Sequence, residues 1–361
     1  MNMQQPSVTS WQEEKDNQIK QGEKMRVSAI LLAAGLMLPF TLLSKEYIVR
    51  SPDGKVTLSA TVTDRVTCNI ARDNAVVVSE LMPEMQLEGM TLPGPKPSLL
   101  RAVTSETRDV LVPVVPHKNS RVNDNYNGLT LRFRGGYSID FRVYDDGVAY
   151  RFSTSLKGDV TVINEKFGFS MPSGAGALYP LEESFMSHNE RTFLPALMDT
   201  VGTKHLASLP ALFMSGGINI LLTEADIRDY PGMWITGDGN GGVTSLFPAY
   251  PAAVKEHDDR NVYVTARENY IARTSGTRTW PWRVFIITPD DAGLVESEMV
   301  YRLGAPPAPG SDFSWVRPGK VAWDWYNANN LFGVDFRAGL NNDTYKYYID
   351  FASENGIEYV I

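Results

Sequence analysis

Five consecutive residues, Trp323-Asp324-Trp325-Tyr326-Asn327, bring two indoles, a carboxylate, a phenol and an amide together. An indole face stacks on the apolar face of a sugar ring, and an amide bonds its hydroxyls. Trp323, Trp325 and Asn327 are therefore candidate substrate-binding residues. Packing is the competing role for Trp323 and Trp325, because Trp fills cores readily. Asp324, inside the same run, is expected to be a hydrogen-bonded structural carboxylate. A second polar stretch, Leu178 to Glu190, carries Glu182, Glu183, His188 and Glu190. The single cysteine, Cys68, sits in the strand-like run Val66 to Ile70 and reads as a small packed side chain. One thiol cannot close an internal disulfide, and no Cys or His spacing resembles a zinc site.

Something must hold these groups in place, and 361 residues suffice for two domains. With 43% apolar and 21% charged residues, the composition argues against global disorder. A formal net charge of -8 gives no electrostatic footing for nucleic acid, which needs clustered Lys and Arg. An acidic chain rich in Trp and Tyr suits neutral or sugar ligands. Near the start, Met25-Arg26 precedes an apolar run from Val27 to Leu43. A positive start, an apolar stretch of this length and a small residue near Ser44 describe an export signal. Residues 25–44 are read as a signal peptide, with Met25 as the natural start and residues 1–24 as an upstream extension. A membrane anchor is the alternative, but the run is short for a spanning helix. No stable membrane insertion is expected after cleavage.

From Lys45 onward the signal is mainly β. Tyr47-Ile48-Val49 runs into Ser51-Pro52-Asp53-Gly54-Lys55, a sequence with turn chemistry, and Val56 to Val62 then alternates with period two, as in a hairpin. The runs Leu129–Arg134, Tyr137–Tyr144 and Val148–Phe152, joined at Gly135-Gly136 and Asp145-Asp146-Gly147, read as an antiparallel meander. Further strands are expected at 211–214, 218–223, 262–265 and 282–288. So many strands, with few helical patterns, argue for a large β-sandwich domain over 45–304. Ala305-Pro306-Pro307-Ala308-Pro309-Gly310 is a stiff linker composition. In 311–361, Lys320 to Tyr326 reads as a buried strand. Asn342-Asp343-Thr344 reads as a helix cap. Tyr345, Tyr348, Ile349 and Ala352 read as one helical face, and Ile357 to Ile361 as a second strand. Strand, helix, strand is a unit that needs a parallel sheet.

Three segments together resemble glycoside hydrolase family 97: Tyr144-Asp145-Asp146-Gly147-Val148-Ala149-Tyr150-Arg151-Phe152, Arg278-Thr279-Trp280-Pro281-Trp282-Arg283, and Trp323-Asp324-Trp325-Tyr326-Asn327. The resemblance spans roughly residues 45–361. It implies a bacterial α-glucosidase or α-galactosidase acting on oligosaccharides. The implied fold is a large antiparallel β-super-sandwich followed by the truncated first βαβ unit of a (β/α)8 barrel. The catalytic acid and its partner would come from later barrel strands, so no catalytic residue is assigned here. Trp325 and Asn327 would sit at the C-terminal end of barrel strand one, which faces the active site. The resemblance also implies an active-site calcium. Glu190 is the best match for a ligand from the sandwich domain, Glu182 and Glu183 are its rivals, and a solvated loop carboxylate is the plain alternative. His188 is not expected to bind calcium. A non-catalytic carbohydrate-binding sandwich is the competing function.

Overall fold

The computed structural model describes residues 45–257 and 261–361, and the expected signal peptide and upstream extension lie outside the described residues. Among the described residues the architecture is mainly β, with three helices late in the chain: α1 (Asp291–Glu296), α2 (Met299–Leu303) and α3 (Asn342–Glu354). Among the described residues, no helix is long and apolar enough to cross a membrane.

The first hairpin forms as its turn chemistry suggests. Lys45–Arg50 pairs with Val56–Val62, and the Gly54 N–H closes the turn on the Ser51 carbonyl at 2.9 Å. Gly54 takes a φ of 77°, which a side chain would resist. Val66–Arg72 then pairs back on Val56–Val62 and carries Cys68 fully buried, where desolvation pushes its thiol up to about 12. This is the packed cysteine the alternation implies.

The expected meander forms as Val122–Phe133, Tyr137–Tyr144 and Gly147–Ser170, its first strand starting seven residues before the expected Leu129, with Tyr144 opposite Gly147 at the second turn. Its last strand runs for 24 residues, far past the expected end at Phe152. That length makes it the organiser of the sheet. Its first half pairs with Tyr137–Tyr144 on one side and with Trp282–Thr288 and Ala272–Thr279 on the other. Its second half takes Ala75–Leu87 and Gly242–Leu246. Eighteen strands join in this way into one hydrogen-bonded system. The strands expected at 211–214, 218–223, 262–265 and 282–288 all form, each within about two residues of its expected ends.

Period two decides what each face buries. Ile139, Phe141, Tyr150, Phe152, Phe167 and Phe285 enter the large core, where Phe167 and Phe285 rings lie 5.7 Å apart. Tyr144, Ala149, Trp282, Val284 and Ile286 face the other way, onto Met299 and Leu303 of α2. The Trp282–Thr288 strand is buried at every position because both of its faces are covered.

After residue 310 the organisation changes. Val321–Ala322 pairs in parallel with Tyr359–Val360, and α3 lies between them in sequence. The helix is capped by Asn341, one residue before the expected cap, whose side-chain oxygen accepts from Thr344 N–H at 3.0 Å. Its buried face is Thr344, Tyr348 and Ala352, whereas Ile349 is exposed. The expected face was therefore rotated, because only one short sheet lies beside the helix and it covers a narrow i, i+4 stripe.

Candidate functional site

The expected strand Lys320–Tyr326 is corrected by the structure: the strand is Val321–Ala322, and Asp324–Asn327 forms a 3-10 turn. With one parallel neighbour bonded over two residues, the ladder has nothing to extend it. The backbone closes on itself instead. Ala328 takes a left-handed φ of 59°, and Asn329 N–H bonds the Asp324 carbonyl at 2.9 Å. Trp325 and Asn327 thus follow the strand end in a turn, and do not belong to the strand.

The turn separates its carboxylate from its aromatics. Asp324 is buried, its carboxylate takes a 3.0 Å bond from Asn329 Nδ2 and another from the Tyr345 hydroxyl, and its backbone carbonyl accepts from Tyr348. That bond to Asp324 pushes the Tyr345 hydroxyl above its ordinary range. Asp324 is the hydrogen-bonded structural group expected of it. Trp323, Trp325 and Tyr326 are exposed at 46%, 66% and 82%, so packing does not occupy them among the described residues. The two indoles stack with centroids 5.5 Å apart and planes 8° from parallel, and Tyr326 stands 5.8 Å from Trp323. The result is an exposed aromatic platform made of a stacked indole pair and Tyr326, while the Asp324 carboxylate is turned to Asn329 and Tyr345. The side chain of Asn327 lies outside what the structure describes.

The second candidate stretch is the connection between two paired strands, Gly176–Glu182 and Phe193–Leu197. Glu182 ends the first strand in a buried position, bonded by Arg191 Nε at 2.7 Å and Ser208 Oγ at 3.0 Å. Burial alone would push its carboxyl up. The bonds from Ser187, Arg191 and Ser208, with the Arg191 charge, together outweigh it and hold the group below its ordinary range. Glu182 is thereby committed to closing the hairpin. Glu183, His188 and Glu190 are exposed. Asn189 takes a φ of 57° beside Glu190, and its N–H bonds Ser187 Oγ at 2.9 Å. Among the described residues, no group of three or more His, Cys, Asp or Glu could hold a metal ion. Calcium wants six to eight oxygens, so these residues do not make a calcium cage by themselves. Glu190 offers a single carboxylate.

The Arg278–Arg283 motif turns out to be a packing device. Trp280 is buried and donates Nε1–H to Thr154 Oγ1 at 3.0 Å. Arg283, fully buried, reaches Glu165 with Nε at 2.8 Å and Nη2 at 2.6 Å, and Glu224 with Nη1. Tyr230 donates to Glu165 at 2.9 Å. Burial is the largest influence on Glu224 and pushes its carboxyl up, against the opposing pull of Arg283. One guanidinium bridges two carboxylates, and a bridged pair is not free to act as acid and base across a substrate. Sequence reasoning missed Glu165 and Glu224. The available signal was Arg283 itself, since an arginine in an unbroken apolar strand requires a buried partner.

Residues 49–306 match the family model described as glycosyl-hydrolase 97 N-terminal. The chain belongs to glycoside hydrolase family 97. Its family 97 relatives include a retaining α-galactosidase of Bacteroides thetaiotaomicron, 36% identical over 330 residues, which cover 88% of this chain and 50% of that protein. A family 97 enzyme from Pseudoalteromonas sp. strain K8, solved in complex with acarbose, superposes with a TM-score of 0.72 at 20% identity, over 87% of this chain and 46% of that one. A β-arabinopyranosidase gives 0.70 at 20% identity, over 88% and 50%. At these identities the two structures establish a shared fold. The chain spans about half the length of the family 97 proteins it matches.

Proposed function

We propose that this chain is the N-terminal part of a periplasmic, exported α-glycosidase that hydrolyses α-glucosides or α-galactosides in oligosaccharides. The observation that carries the reading is the 36% identity to a retaining α-galactosidase over 330 residues. In this reading the strand-rich region is a β-super-sandwich. Val321–Ala322, α3 and Tyr359–Val360 are the first βαβ unit of a (β/α)8 barrel. Trp323, Trp325 and Asn327 form the sugar-binding rim at the barrel mouth. The exposed, stacked indoles support that role, because a sugar ring can stack on the outer face of such a pair.

The chain alone is expected to be inactive. Glycoside hydrolysis needs two carboxyl groups flanking the scissile bond. Glu165 and Glu224 are bridged by Arg283, and the Asp324 carboxylate is bonded to Asn329. Incubating the purified chain with aryl α-galactosides and α-glucosides, with and without calcium, should give no turnover. Turnover that disappears in a single Asp→Asn or Glu→Gln variant of this chain would overturn the reading.

Glu190 is proposed as one ligand of a calcium site shared with barrel residues. Calorimetry on the chain alone should show calcium binding no tighter than about millimolar, since one carboxylate is a poor cage. Micromolar binding that survives Glu190→Gln but is lost in Glu183→Gln would assign the ligand to the wrong glutamate here.

A further inference from the structure

The sheet face that carries Trp282, the apolar residues Leu111, Val112 and Val114, and the segment 300–307 with Phe313 line an open cavity of about 1010 Å³. Asp124, Arg142, Arg151, Asp226, Thr279 and Trp282 supply its polar floor. Trp282 is almost fully buried, and two guanidinium groups stack on its indole: Arg142 at 4.9 Å and Arg151 at 4.3 Å from the ring. Most charges in this floor are spoken for. Arg142 also covers Tyr126 at 4.5 Å and donates to the Tyr144 hydroxyl at 3.4 Å. Asp124 accepts from the Tyr144 hydroxyl at 3.0 Å, and Asp226 accepts from Arg228 at 3.0 Å. Arg302, at the edge, pairs with Asp146.

Arg151 differs. Among the described residues its guanidinium has no ion pair and no hydrogen-bond acceptor, and its Nε is closed off from solvent without a partner. Burial, followed by the like charge of Arg142, works against its protonated form, while Asp140 and Asp226 support it only from a distance. Stacking on Trp282 holds the group at the cavity wall, where it lines the space with its charge unpaired. A planar guanidinium edge, partly desolvated and unpaired, matches the two parallel oxygens of a carboxylate. Asp124, Asp226 and Thr279 then face the remainder of the ligand as hydroxyl-binding groups. The volume is at the upper end for small-molecule sites and leaves room for a ligand of about disaccharide size.

We infer that this cavity binds a small hydroxylated carboxylate, a sugar acid, with the Nη edge of Arg151 on its carboxylate and Asp226 and Thr279 on its hydroxyls. The inference is independent of the hydrolase reading. Every residue named at the site belongs to this chain.

Calorimetry on the whole chain with D-galacturonate, D-galactose and acetate tests it. Galacturonate should bind saturably, and both galactose (which lacks the charge) and acetate (which lacks the hydroxyls) should bind more weakly. Arg151→Met should weaken galacturonate by about 10–100-fold, as loss of a charge-assisted pair does, with unchanged near-ultraviolet circular dichroism. Arg151→Lys keeps the charge without the planar edge and should fall between. No saturable galacturonate binding would overturn the inference, as would equal affinity for galactose or acetate, or unchanged affinity in Arg151→Met. Should Arg151→Met not fold, unchanged affinity in Arg151→Lys overturns it instead.

Discussion

Arg283 stands between two carboxylates that water cannot reach, so removing it exposes each to the other. Arg283→Met should destabilise the fold by about 3–5 kcal/mol, the range for breaking a buried ion pair from one side. Chemical denaturation would measure the loss, and a value under about 1 kcal/mol would show that Glu165 and Glu224 can be satisfied without the guanidinium. Glu224 and Glu182 leave their ordinary range in opposite senses and should respond to pH in opposite directions. Glu224 is raised, so its contribution is complete below the ordinary value of 4.5 and is lost as pH rises through the higher folded value. Glu182 is lowered, so its contribution is complete above 4.5 and is lost as pH falls through the lower folded value. Melting curves against pH should therefore show Glu224→Gln gaining on the parent chain as pH rises from 4.5, and Glu182→Gln converging on it in acid. Parallel curves for either variant would contradict the assignment. Neither Glu165 nor Glu224 is marked in the sequence by a motif of its own. Asp324 was legible because it interrupts an apolar aromatic run. Glu165 was not, because an inward carboxylate in a long strand looks like any alternating polar residue until Arg283 is placed against it.

At the level of elements, turns were the most legible feature, because they depend on local backbone chemistry. Asp145-Asp146-Gly147 is an example. Gly147 takes a φ of 155°, and a Cβ there would sit 2.1 Å from the Phe285 carbonyl and 2.6 Å from Met299 Sδ. The glycine is needed both by the turn and by the close approach of the Trp282–Thr288 strand and α2. Gly147→Ala should cost at least about 1–3 kcal/mol, the range for forcing extra volume into a packed site. Gly54→Ala, with nothing within 4 Å of the added carbon, is the control and should cost only the strain of its turn. A Gly147→Ala loss no larger than the control would mean that the two strands can separate freely. Strand lengths were less legible. Gly147–Ser170 reads as ending at Phe152, since its later part includes Gly158 and polar residues, but neighbours on both sides keep it extended. Helix α3 shows the same dependence on partners: its sequence offers more apolar positions than its surroundings cover.

For the whole molecule, the distribution of buried apolar residues decides which part should survive alone. The strand-rich region up to residue 287 shares one continuous core, and a second core joins it to α2. Beyond residue 310, the buried apolar residues are Ala322, Tyr348 and Ala352, helped by Leu331 and Ile357. Around them Trp315, Phe332, Leu340, Ile349 and Ile361 are exposed. Burying so little apolar surface cannot offset the ordering entropy of some fifty residues, at about 1–2 kcal/mol each. The exposed edges of Val321–Ala322 and Tyr359–Val360 add unpaired backbone groups. The segment 311–361 should therefore open locally far more often than the sheet. Limited chymotrypsin digestion should cut first within 311–361, at Trp315, Phe332 or the platform residues Trp323, Trp325 and Tyr326, and leave a protected product that ends near residue 304. Amide exchange should follow the same order, with α3 exchanging well before Gly147–Ser170. If 311–361 persists while the strands are digested, or if both parts exchange together, then the linker is not the boundary between units of different stability, and the aromatic turn is held by contacts other than those of its own small core.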